Sequence, residues 1–93
     1  MKEINNIDVT IWAGELAIGF VSSDSKVIPK DKKDKLIEIL EKMEFSEYFR
    51  SVEKDTKQIW RYLEYGDYKR PLNEVVDLFS KIFDSLVERL KKT

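Results

Sequence analysis

The chain contains no cysteine and no histidine. Without thiols it forms no disulfide, offers no thiolate to a metal and supports no thiol chemistry. Without imidazole it lacks the commonest metal ligand and the commonest general base. Carboxylates are what remains: a magnesium or calcium site, or an acid–base pair, drawn from eighteen Asp and Glu residues. Asp8, Glu15, Asp24, Glu64 and Asp67 fall on expected strands or loops and are the candidates for this reading. Glycine is also scarce, with three in the chain. Gly14 and Gly19 stand five apart without a Gly-Lys-Ser/Thr sequence or a helix behind them, so no phosphate cradle is expected. No cofactor is expected either.

Long apolar runs are missing too. None approaches the roughly eighteen residues that a membrane span needs. The start Met1-Lys2-Glu3-Ile4-Asn5-Asn6 has no signal-peptide core, and a cytoplasmic protein is the expectation. Charge of one sign is absent as well. Charged residues make up 38% of the chain, yet they sum to a formal net charge of -1. The totals therefore favour neither a nucleic-acid binder nor an acidic mimic of one. With 93 residues and 42% hydrophobic content, a single compact domain over residues 1–93 with a small core is expected.

What is present is periodicity. Leu72, Val75, Val76, Phe79, Ile82, Phe83, Leu86, Val87 and Leu90 recur at helical spacing, which predicts an amphipathic helix over 71–91. Pro71 fits its first position, where a missing N–H costs nothing. Leu36, Ile39, Leu40 and Met43 predict a second helix over 31–43, with Asp31 and Asp34 spaced like a capping box. Ser46 suits the cap of a further helix that carries Tyr48, Phe49 and Val52.

Residues 7–12 alternate apolar and polar, with Ile7, Val9 and Ile11 on one face and Asp8, Thr10 and Trp12 on the other. Residues 16–21 follow in kind, with Leu16, Ile18 and Phe20 on one face, and a β-hairpin over 7–21 is the reading. Val27 and Ile28 suit a short strand that Pro29 ends. Residues 55–65 fit either a helix or a strand. As a strand, Ile59, Arg61, Leu63 and Tyr65 face one way, and Trp60, Tyr62 and Glu64 the other. The strand reading over 58–64 gives the order β-β-α-α-β-α, an α+β fold in which a three-stranded antiparallel sheet packs on two main helices. The helix reading gives an N-terminal hairpin followed by an all-helical bundle.

Two stretches attract functional readings. Trp60, Tyr62, Tyr65 and Tyr68 lie among Lys57, Arg61, Lys69 and Arg70. Aromatic and arginine side chains concentrate at the centres of protein interfaces, and the same mix stacks on bases. The competing structural account packs Trp60 and Tyr62 under a helix. Trp12 on the hairpin adds an aromatic residue opposite the aliphatic face. The expected partner-binding set is Trp12, Trp60, Arg61, Tyr62, Tyr65, Tyr68 and Arg70. The second stretch, residues 26–35, holds Lys26, Lys30, Lys32, Lys33 and Lys35, which are candidate phosphate contacts. Basic groups at a helix start oppose the dipole, so this stretch reads as loop rather than first turn.

Three functional readings result. The favoured one is a small non-catalytic interaction or regulatory module, such as an inhibitor, an antitoxin-like protein or an accessory subunit, with a protein partner or a second copy. The alternative is a nucleic-acid binder in which residues 26–35 and 61–70 meet on one face. The third is a carboxylate-based, metal-dependent enzyme.

Overall fold

The computed structural model describes residues 2–4, 6–64 and 71–92. In chain order the elements are β1 (Lys2–Ile4), β2 (Ile7–Trp12), β3 (Ala17–Ser22), α1 (Lys30–Glu41), β4 (Glu53–Lys54), β5 (Gln58–Tyr62) and α2 (Leu72–Lys91). The strands form one antiparallel sheet in the order β1-β2-β3-β5-β4. The fold is α+β. The three strands read from periodicity are its contiguous centre, β2-β3-β5. The two additional strands are edges of three and two residues, too short for alternation to announce.

Residue 59 settles the ambiguous segment. Ile59 pairs with Phe20 across β3 and β5, and both are fully buried, so the segment is a strand and the all-helical alternative is excluded. The strand ends at Tyr62, short of the expected Glu64, although Leu63 still bridges Phe49.

One sheet face is apolar and carries both helices. Ile7 and Val9 of β2, Ile18 and Phe20 of β3 and Ile59 of β5 meet Leu36 and Leu40 of α1. They also meet Val75, Leu78, Phe79, Ile82, Leu86 and Leu90 of α2. Val76 leaves the predicted stripe and is 56% exposed, while Leu78 joins it at 4%. The packed line is 75, 78, 82 and 86, at three- and four-residue steps, and Val76 lies off it.

Local details correct several expectations. The basic stretch is divided: Lys26 lies in the loop, while Lys30, Lys32, Lys33 and Lys35 lie in α1, which begins at Lys30 and which neither Asp31 nor Asp34 caps. Burying Leu36 and Leu40 completely is worth about 1.5–3 kcal/mol each, more than the roughly 0.3–1 kcal/mol that a misplaced charge costs at an exposed helix end. Pro29 and Pro71 stand just before their helices, and the Pro71 carbonyl accepts the N–H groups of Glu74 and Val75. Ser46 opens only a 3₁₀ turn, Ser46–Tyr48, because Phe45 takes a left-handed backbone (φ 62°) that ends α1's path. Val27 and Ile28 form no strand; Ile28 is buried and its N–H donates to Thr56 O at 3.0 Å.

The hairpin turn covers residues 13–16, so its second strand starts one residue later than expected. Gly14 is not the left-handed residue; Leu16 is, at φ 54°, so β3 starts at Ala17. A left-handed leucine costs on the order of 1–2 kcal/mol. Two contacts offset it: the Leu16 side chain packs against the core, and its carbonyl accepts the Leu63 N–H at 2.8 Å.

Candidate functional site

The second face of the sheet carries no described helix. Strand register fixes its rows. Asp8, Val21 and Gln58 form one, Thr10, Gly19 and Trp60 the next, and Trp12, Ala17 and Tyr62 the third. Three aromatic side chains thus surround two of the smallest residues. Trp12, Trp60 and Tyr62 are each half-buried. Trp12 and Tyr62 lie two strand spacings apart, roughly 9.5 Å, with Ala17 as the floor between them. The Trp60 and Tyr62 rings meet edge to face at 6.4 Å and 90°, a favourable quadrupolar arrangement. The indole N–H of Trp60 is buried and finds no acceptor among the described residues. These two residues therefore do not pack under a helix, which corrects the structural account given from sequence.

Gly19 holds this surface flat. A Cβ there would run into the carbonyl oxygen of Ile59 and lie 2.6 Å from Trp60 Cα. Only glycine lets the β3 and β5 backbones approach so closely at this row. Beside it, Asp8, Thr10, Trp12, Val21 and Gln58 line an open concavity of about 270 Å³. Acidic residues border the patch. Glu53 pairs with Trp60 and so shares its face. Glu64 accepts from Arg50, Nε to Oε2 at 2.7 Å, which holds the Glu64 carboxyl below its usual range and raises Arg50.

Arg61 leaves the partner-binding set. It faces the helices, is 6% exposed, and donates only to oxygens of the chain itself. Its alternation with Ile59 and Leu63 already assigned it to the apolar face. Tyr65, Tyr68 and Arg70 lie outside the described residues, as do Asp67 and Lys69.

The lysines sit elsewhere. Lys26 is exposed in the loop before α1, and Lys30, Lys32, Lys33 and Lys35 occupy the helix's first half. Arg61 reaches Leu40 O at the opposite end of the same helix, which is about 18 Å long. The described parts of the two basic stretches therefore do not share a surface. Asp24 is tied down in the loop: it accepts from Ser22 Oγ at 2.8 Å and the Lys26 N–H at 3.0 Å, the latter being the main cause of its lowered pKa. A different cationic hollow, of about 280 Å³, lies where the helices end, lined by Lys35, Glu38, Ile39, Lys42, Arg89 and Lys92. Arg89 Nη1 donates there to Lys42 O at 2.9 Å, and Glu38 binds Lys42 Nζ at 2.9 Å. Among the described residues no three acidic side chains gather to hold a metal ion. No described helix is long and apolar enough to cross a membrane.

Comparison with protein-family models, curated proteins and solved structures finds no match to this chain. The functional reading therefore rests on the chain's own geometry. Sequence alone identified Trp12, Trp60 and Tyr62 individually. That they form one patch depends on register, which joins residues 12 and 62 through Ala17.

Proposed function

We propose that this chain is a non-catalytic protein-interaction module that docks a partner polypeptide on its open sheet face. The observation that supports the reading is the convergence of Trp12, Trp60 and Tyr62 around Ala17 and Gly19 on a face no described helix covers. Tryptophan and tyrosine supply large contact area with few rotatable bonds, and they dominate binding energy at interface centres. Ala17 and Gly19 are buried between these side chains, so a partner meets the aromatic rings themselves. A module of this kind serves as a regulator, an inhibitor or an accessory subunit of its partner.

The test is a peptide selection on the wild-type chain from a random display library, followed by affinity measurement on Trp12→Ala and Trp60→Ala. Each variant is first checked for its fold from the amide spectrum of α2. The expected result is at least tenfold weaker binding to either variant with the helix spectrum unchanged. Equal affinity for wild type and both variants overturns the docking face.

A further inference from the structure

Resting on that docking reading, we infer that the segment held by the open face is cationic and seats an arginine or lysine side chain over the Trp12–Ala17–Tyr62 row. Charge on this face is one-sided. Register puts Asp8 and Glu53 there, and neither has a cationic partner among the described residues. Glu64 borders the same surface, with its charge answered by Arg50 at 2.7 Å. Arg50 is the single cation that the described residues bring to this face; Lys54 pairs with Ile59 and so belongs to the helix side. The helix side is mixed: α1 carries four lysines and four carboxylates, and α2 three cations and four carboxylates. A formal net charge of -1 thus leaves the helices close to balance and the open face with carboxylates that no described cation answers.

The carboxylates of the open face select among occupants. A nucleic-acid backbone would bring phosphates against uncompensated carboxylates. A second copy, face to face, would set the same carboxylates toward each other. A cationic segment gains from both components of the patch. The ring faces of Trp and Tyr attract a cation through their quadrupoles. A guanidinium also stacks flat on such rings while its fork engages a carboxylate. Asp8 and Trp12 line the same open concavity, about 13 Å apart along β2, so a bound segment of a few residues spans both. Ala17 and Gly19 are themselves buried, so the cation meets the rings and not the backbone beneath them.

The experiment is the display selection with one added step, depletion of the library on Trp12→Ala. That variant keeps Asp8, Glu53 and Glu64, so depletion removes peptides held by charge alone. Tyr62→Ala serves as the depletion variant if Trp12→Ala does not fold. The expected peptides carry arginine and lysine at twice or more their frequency in the library. The best of them, followed by tryptophan fluorescence, binds the Asp8→Asn/Glu53→Gln double variant at least threefold more weakly. Aromatic-dependent peptides no more basic than the library, or with unchanged affinity for the double variant, overturn the cationic occupant and leave the docking face standing. A selection that yields no aromatic-dependent peptide overturns both.

Discussion

A guanidinium carries five N–H donors, and at Arg61 all five meet oxygen. Nε donates to Arg50 O at 2.6 Å, Nη1 to Leu40 O and Ser46 Oγ, and Nη2 to Ser46 O and Phe49 O. The group also lies 5.8 Å from the centre of the Phe49 ring. Burial lowers its pKa, and the nearby charge of Glu41 opposes the shift. One side chain therefore ties the end of α1, the 3₁₀ turn and β5 together. Arg61→Ala removes every donor and leaves those carbonyls unanswered. The expected loss is about 3 kcal/mol or more in urea unfolding. Arg61→Lys recovers less than half of it, since an ammonium cannot reproduce the planar fork. The glycines give a paired prediction. Gly19→Ala forces β3 and β5 apart and costs roughly 1–3 kcal/mol by the same measurement. Gly14→Ala meets nothing within 4 Å and has no positive φ to strain, so it is neutral or stabilises by up to about 1 kcal/mol.

At the scale of elements, what was legible in the sequence was whatever repeats. Alternation gave β2 and β3 and favoured a strand over 58–64, of which 58–62 forms, and the 3.6-residue period gave both helices to within about two residues. Three things were not legible, each for a physical reason. The edge strands are too short to repeat. The left-handed turns at Leu16 and Phe45 fall on residues that carry no turn signature, and packing holds them there. The assignment of Arg61 to an interface read its charge and not its face. Of the candidate site, residue types were visible and adjacency was not, because register is a property of the paired strands. The α2 stripe makes a sharp prediction here. Leu86 is fully buried, so Leu86→Ala is expected to cost about 2–5 kcal/mol in thermal or urea unfolding. Val76 is 56% exposed, and Val76→Ala is expected to stay within about 0.5 kcal/mol of wild type.

The whole molecule is two-sided. Helices close one sheet face over a continuous apolar core, while the other carries no described helix and has aromatics at its centre and carboxylates at its border. Two copies meeting through that face would oppose like charges. Light scattering at micromolar concentration is therefore expected to give the monomer mass of 11.1 kDa. A mass of twice that value, lost in Trp12→Ala, would point to a second copy as the occupant. One consequence of Arg61 reaches across these two sides. It lies between Trp60 and Tyr62 in β5 and points the opposite way, so the buried bonds beneath the sheet hold the backbone from which both rings project. A partner that lands on these rings meets a backbone already set, and little conformational entropy of the strand remains to be lost on association. Loosening the end of α1 would make binding weaker without touching a single contact residue. On the proposed docking reading, affinity at the aromatic face is in this sense stored on the far side of the sheet.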